Sequence, residues 1–384
     1  MDTHGEKTGI FAKKGLWIGI GAGLFILIAY ILPTPSSLVE VMEKYGYVEK
    51  MIEWEIAHTA KEASAKTMIV LGIVPMAVVF FAVEALPIGV TGILMPLMAY
   101  IFGLLPFNMI GKTFAGDAPM FMLGVFALGA TVVEVGFHKR LAVWLLGWTK
   151  GFWVPMIVLC LSMSIVGSFM SAPAMCSFMV PVMMAVYYGS VKAASPEGEV
   201  VHDPALAKYL LFSLCFALNM GGPGTPSAGG RNVIMMGFFT EYGIPITYSG
   251  WMKYGWPLVP LGSTLLLLYM ATLFSKKIKT RDLTPGLQHI KEETRRMGKM
   301  KYPEYVTAGT LFLIVALWIF GGEATGLGGP ALLALVIPVV FKTVTFEQII
   351  ERISFNAWFM YCGALTLGAL LKESGGALWL ATTF

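Results

Sequence analysis

The residues best suited to chemistry lie in one stretch, Asn219-Met220-Gly221-Gly222-Pro223-Gly224-Thr225-Pro226-Ser227-Ala228-Gly229-Gly230-Arg231-Asn232, set between the apolar runs Leu206 to Leu218 and Val233 to Phe239. Five Gly and two Pro in fourteen residues unwind any helix that enters it. Unwinding leaves carbonyls without partners at the end of one half-helix and amides without partners at the start of the next. Free carbonyls and the hydroxyls of Thr225 and Ser227 are hard oxygen ligands suited to an alkali cation such as sodium, while a half-helix amino terminus favours a carboxylate. The plainer alternative is an ordinary loop outside the membrane. Arg231 is the only charge here, and an arginine at helix centre costs roughly 2.5–3.5 kcal/mol on insertion scales. It either pairs with an anionic solute through its planar fork or anchors the loop by bonding backbone carbonyls.

A second irregular place is Phe152 to Tyr187, whose middle, Ser168-Phe169-Met170-Ser171-Ala172-Pro173-Ala174, carries small and hydroxyl residues and a Pro that favours a helix start. The length suits two short helices in a re-entrant hairpin, with Ser171 and the first amides of the second half-helix exposed to a solute at the tip. A single span kinked at Pro is the alternative. Enzyme chemistry finds no support: His4, His58, His138, His202 and His289 lie at expected helix ends and loops, without metal-protease spacing or a Ser/His pairing. Cys160, Cys176, Cys215 and Cys362 lie singly inside apolar runs and read as packing residues rather than transition-metal ligands or disulfides.

The elements that must hold these residues are membrane helices. Of 384 residues 57% are apolar and 13% charged, with a mean hydropathy of +0.73. Gly15 to Leu32, Thr67 to Val83 and Trp256 to Phe274 are apolar runs of the roughly 17–25 residues that cross about 30 Å of hydrocarbon. The run after Lys7, Lys13 and Lys14 is too long for a cleaved signal and reads as a retained anchor. Ser275 to Lys301 holds nine basic and three acidic residues, whereas Glu241 to Gly250 and Gly321 to Gly328 hold no Lys or Arg. The basic segment is therefore assigned to the cytoplasm, together with the amino terminus. Helices near 15–32, 67–84, 87–105 and 119–137 then alternate across the bilayer and place His138, Lys139 and Arg140 at an inner boundary. The net charge of +4 does not imply nucleic acid.

A shift of 239 residues without a gap brings Glu84-Ala85 onto Glu323-Ala324 and Gly124 onto Gly363. Leu128-Gly129-Ala130, Glu134, Gly136 and Leu141-Ala142 fall on Leu367-Gly368-Ala369, Glu373, Gly375 and Leu380-Ala381, seven identities in fifteen positions. Glu84 falls at an inner helix end and Glu323 at an outer one, so the two copies would be inverted, the signature of an alternating-access transporter. The resulting organisation is a cytoplasmic stretch at 1–14, a first helix with an interfacial segment at 15–66, and a first repeat at 67–274 with the hairpin near 152–187 and the broken helix near 206–240. A basic linker at 275–301 and an incomplete second repeat at 302–384 follow. Counterparts of residues 142–274 would extend to about 510, so the chain reads as part of a longer protein and is expected to be inactive alone.

At these segments the sequence resembles the divalent anion/sodium symporter family. Val83-Glu84-Ala85-Leu86-Pro87 with Val90-Thr91 is similar to the family's "TEALP" stretch, and Gly136-Phe137-His138-Lys139-Arg140-Leu141-Ala142 to its "GLHKRIA" stretch. Gly221, Gly222, Gly224, Thr225, Pro226 and Asn232 match the "GGxGTPxGTPPN" loop, with Gly230-Arg231 where two prolines are usual. The family's Ser-Asn-Thr tip, which supplies sodium and carboxylate ligands, appears as Ser171-Ala172-Pro173. The resemblance implies an all-α polytopic, inverted-repeat elevator-type carrier, working as a homodimer among membrane lipid in the cell membrane, with sodium as coupling ion and no other cofactor. The solute would be a small anion, a di- or tricarboxylate or an oxyanion. Its ligands are assigned to Ser171, Ala172, Pro173, Thr225, Pro226 and Arg231, and those of the cation to Ser171, Asn219, Gly221, Gly224, Thr225 and Asn232. A sodium-independent anion exchanger is the alternative that the altered tip raises, and another carrier of the wider ion-transporter group, which shares broken helices and hairpins, is the runner-up among transporters. A non-transporting receptor or assembly subunit is the alternative of another class.

Overall fold

The computed structural model describes residues 14–383 except 138–139, 141–143, 145–147, 170–171, 197–198 and 245. The described residues form helices and turns only. Among the described residues, five helical stretches are long and apolar enough to cross a membrane: Lys14–Ile31, Ala60–Val83, Phe107–Glu134, Tyr248–Phe274 and Tyr302–Phe320. Phe346–Arg352 and Phe355–Glu373 are apolar enough for a further span only when counted together. The length and apolar composition of the five stretches are those of helices that cross a membrane.

Residues Met1–Pro119 with Ser354–Phe384 form one compact unit and Met120–Ile353 another. The first holds α1 (Lys14–Ile26, extended by a π turn), α2 (Ser36–Lys44), α3 (Tyr47–Glu53), α4 (Ala60–Val83), α5 (Ile88–Ile101) and α6 (Phe107–Ala115). Helix α4 starts seven residues before the apolar run Thr67 to Val83, because Thr59 caps it. The Thr59 hydroxyl accepts from the Glu62 amide at 3.2 Å, and the Glu62 carboxylate accepts from the His58 amide at 2.9 Å. Helix α7 (Asp117–Glu134) carries the chain out of this unit.

The second unit contains α8 (Trp153–Phe169), α9 (Ala172–Ala194), α10 (Pro204–Met220), α11 (Gly230–Glu241), α12 (Tyr248–Gly255) and α13 (Leu258–Phe274). It continues with α14 (Thr284–Met297), α15 (Tyr302–Phe320), α16 (Gly328–Val340) and α17 (Phe346–Arg352). The chain returns to the first unit as α18 (Phe355–Glu373) and α19 (Gly376–Thr383).

Small residues set the closest packing, as membrane interiors require in place of a hydrophobic driving force. In the first unit α5 lies on α18: a Cβ on Gly92 would meet the Phe359 carbonyl and the Met360 backbone, and one on Gly363 would meet Gly92. In the second unit a Cβ on Gly124 of α7 would meet the backbone of Ala331 in α16.

Element bounds recur at the spacing found in the sequence. Helices α5, α6 and α7 begin at 88, 107 and 117, and α16, α17 and α18 at 328, 346 and 355. Left-handed residues recur as well: Gly103 (φ 56°) corresponds to Lys342 (φ 52°), and Gly136 (φ 78°) to Gly375 (φ 75°).

Candidate functional site

Helix α10 starts where Asp203 caps it, with Pro204 at the first helical position. The Asp203 carboxylate is 3% exposed and accepts three backbone amides, Leu206 at 3.1 Å, Lys279 at 2.7 Å and Thr280 at 3.0 Å. One buried charge thus ties the start of α10 to the segment after α13. The Asp203 amide in turn donates to the Tyr187 hydroxyl of α9 at 3.1 Å.

The partners along α10 reveal the path of α8 and α9. Ser164 donates to the Ala217 carbonyl at 2.7 Å and Ser168 to the Gly221 carbonyl at 3.0 Å, so α8 advances along α10 toward its broken end. Cys176 then lies 3.5 Å from Cys215, Sγ to Sγ, and Tyr187 meets Asp203, so α9 retreats. Helices α8 and α9 therefore run in opposite directions along α10, with Ser168 at the level of Gly221. Gly167 and Gly221 permit the approach, since a Cβ on either would run into the opposing backbone. Of the three residues assigned to this tip, Ser171 and the Pro173 side chain lie outside the described set. Ala172 is half-buried and packs against the apolar core formed by α8, α9, α10, α13 and α14.

Between α10 and α11 the backbone is a series of turns with a single 3-10 turn at Pro226–Ala228. Asn232 organises it: its side-chain amide donates to the Gly222 carbonyl at 2.7 Å and the Thr225 carbonyl at 2.8 Å. The Gly221 carbonyl is engaged by Ser168 Oγ and by the Gly224 amide at 2.9 Å. The Gly224 carbonyl has no donor among the described residues. Asn219 is exposed, and its amide donates to the Cys215 carbonyl at 2.8 Å. The Arg231 side chain is exposed and has no hydrogen bond or ion pair with the described residues. The carbonyl anchoring that the sequence leaves open for Arg231 is performed by its neighbour Asn232.

Thr225, Pro226 and Ser227 are buried, and their hydroxyls form a chain whose direction can be derived. Thr225 Oγ1 bonds to the Ser168 carbonyl, which can only accept, so Thr225 gives its single proton there. The Thr225–Ser227 contact at 2.9 Å must then be donated by Ser227, and the Ser227–Tyr248 contact at 2.9 Å by Tyr248. All three protons point toward the end of α8, and each oxygen keeps a lone pair that no proton covers. Tyr248, 1% exposed, stacks on Trp318 of α15 with ring centroids 4.8 Å apart and planes 15° from parallel. Trp318 is held by its indole N–H on the Leu327 carbonyl at 3.0 Å and by Phe121 at 5.1 Å.

The structure therefore brings Thr225, Pro226, Gly221, Gly224 and Asn232 into one loop against the end of α8, and leaves Asn219 and Arg231 on its exposed side. Sequence reasoning did not select Ser168 and Tyr248 as site residues, and no local spacing marks Tyr248, which is 21 positions from Ser227. Helix α11 begins at Gly230 without a side-chain cap; the Asn232 amide donates to the Gly229 carbonyl at 3.1 Å, and the Gly230 and Arg231 amides, without a partner among the described residues, are open to an anion. Among the described residues no group of three or more His, Cys, Asp or Glu side chains is placed to hold a metal ion.

A family profile described as "Citrate transporter" matches residues 78–384. An uncharacterised transporter of Haemophilus influenzae is 24% identical over 328 residues, 81% of this chain and 66% of its own length. The sodium-dependent dicarboxylate transporter SdcS of Staphylococcus aureus is 24% identical over 338 residues, 82% of this chain and 64% of its own. Sodium-dependent high-affinity dicarboxylate transporter 3 of Caenorhabditis elegans is 23% identical over 253 residues, 63% of this chain and 44% of its own. The chain thus spans two thirds or less of these relatives. The resemblance read from the motifs agrees with these matches.

Proposed function

The chain belongs to the citrate transporter family, and on that premise we propose that the whole protein is a secondary active transporter of small di- or tricarboxylates or oxyanions, coupled to sodium. The observation that carries the reading is the broken helix at Asn219–Asn232, whose hydroxyl chain presents uncovered lone pairs beside a half-helix start where the Gly230 and Arg231 amides have no partner among the described residues. Lone pairs and a spare Gly224 carbonyl suit a cation, and open amides suit a carboxylate. Two relatives named as sodium-dependent dicarboxylate transporters support the solute class and the coupling ion.

An inverted duplication and an elevator-type movement are part of the same proposal. Recurrence of helix starts and of left-handed residues at one spacing supports the duplication. The packing supports it too: Gly92 meets Gly363, and the positions 239 later and earlier, Ala331 and Gly124, meet each other. The reversal of α8 and α9 beside α10 supports a hairpin that travels with the broken helix as one body. The proposal keeps a homodimer in the cell membrane with a cytoplasmic amino terminus.

Uptake of labelled succinate, citrate and sulfate into proteoliposomes, with and without an inward sodium gradient, tests the reading. Sodium-driven uptake is expected from the full-length gene product, and absence of any flux would refute transport. A second outcome has its own motive: Ala172 faces apolar neighbours and Arg231 has no described partner. Exchange against internal anion without sodium would assign charge compensation to Arg231.

A further inference from the structure

We propose that the foot of α13 is a binding site for the headgroup of an anionic membrane lipid, with an acyl chain lying along the same helix. Lys276, Lys277, Lys279 and Arg281 follow the last residue of α13 within seven positions, and all four are exposed. Lys291 and Arg295 on α14, and Lys299 after it, are exposed as well. None of these cations forms an ion pair with a described residue. Two of the nearby carboxylates are spent on other donors, while Glu292 is exposed on α14. Asp203 accepts the Lys279 and Thr280 amides, and Asp282 accepts the Thr284 amide at 2.9 Å and hydroxyl at 2.5 Å. The helix foot keeps an excess of positive charge, with Arg281 held on the Ser275 carbonyl at 3.1 Å, and such juxtamembrane basic clusters attract anionic lipid.

The apolar half of the site is a separate observation. Leu261, Leu265, Leu268 and Leu273 are 57, 59, 59 and 44% exposed. Leu261, Leu265 and Leu268, spaced by four and three residues, form one outward stripe on the way to Lys276 and Lys277, with Leu273 exposed on an adjoining face. From Leu261 to Leu268 the helix rises about 10 Å, enough to accompany an acyl chain through much of one leaflet of a core about 30 Å thick. Backbone between the cations is fixed, because Ile278, Leu283 and Leu287 are buried in the core that also holds α8, α9 and α10. The Leu283 amide donates to the Gly151 carbonyl at 3.1 Å, and the Gly151 amide to Thr284 Oγ1 at 2.9 Å. A headgroup seated here meets a built surface rather than a loose tail.

The experiment is retention of phosphatidylglycerol against phosphatidylcholine by the full chain in detergent, read by native mass spectrometry. It does not depend on transport. The wild-type chain is expected to prefer phosphatidylglycerol by roughly tenfold or more, and the K276Q/K277Q/R281Q variant to lose that preference. A K276R/K277R variant, which keeps the charge, is expected to retain it. Should the triple variant fail to fold, a sodium chloride titration of the wild-type chain decides, since a charged headgroup site must weaken as salt rises. Equal retention of the two lipids, undiminished preference in the folded triple variant, or salt-insensitive retention would each overturn the proposal. So would competition by soluble glycerol phosphate as effective as that by the lipid, because the stripe on α13 would then contribute nothing.

Discussion

Replacing Tyr248 with Phe removes one oxygen from the hydroxyl chain and leaves the ring on Trp318, so the perturbation falls on the loop alone. Ser227 Oγ loses its donor at a position 3% exposed, where water does not replace it. An unsatisfied buried hydroxyl costs about 1–2 kcal/mol, and 1.4 kcal/mol is a factor of ten in an equilibrium constant. If Thr225 and Ser227 are cation ligands, the cost appears as a rise of roughly five- to thirtyfold in the sodium concentration for half-maximal succinate uptake, with maximal rate within about twofold. The assay is a sodium titration of uptake by Y248F, S227A and the double variant. Because one bond links the two side chains, the double variant is expected to be little worse than the more damaging single one. Unchanged sodium affinity in Y248F, or strictly additive losses, would refute the chain as an element of the site.

Three further outcomes follow from the packing. Asp203→Asn turns an acceptor of three amides into a group with its own N–H beside them, and is expected to cost about 2–4 kcal/mol, read as a lowered unfolding midpoint. Gly92→Ala places a methyl against the Phe359 carbonyl and is expected to lower thermal stability, whereas Gly111→Ala, with nothing within 4 Å, is expected to be neutral or slightly stabilising. Arg231→Pro restores the residue usual in the resembling family at an exposed position without bonds, so folding is expected to persist. The Michaelis constant for the anion is expected to rise at least threefold in Arg231→Pro if the guanidinium meets the solute, and to stay unchanged if it does not.

Much of the architecture is legible from the chain because hydropathy and Gly/Pro content act locally. The break after Met220 and the basic stretch after Phe274 could be read within a window of a dozen residues. The start of α4 could not be read from hydropathy, because its first turn holds Lys61 and Glu62 and is governed by the Thr59 cap. Partners remote in sequence were also out of reach. Arg140, read as a boundary residue, is ion-paired with the buried Glu304 and donates to the Gly298 carbonyl at 2.8 Å. The role of Asn232 was half legible: its place in the loop motif marked it, but nothing in the spacing distinguishes an amide that ties two carbonyls from one that binds an ion.

The contact between α5 and α18 also bears on biogenesis. Gly92 enters the bilayer early, yet the backbone it packs against, at Phe359 and Met360, is translated more than 250 residues later. Until then the glycine face of α5 has only lipid or a foreign helix to cover it. The first unit is therefore finished last, and every stall in synthesis between α6 and α18 leaves an open interface to which a membrane chaperone or quality-control protease could respond.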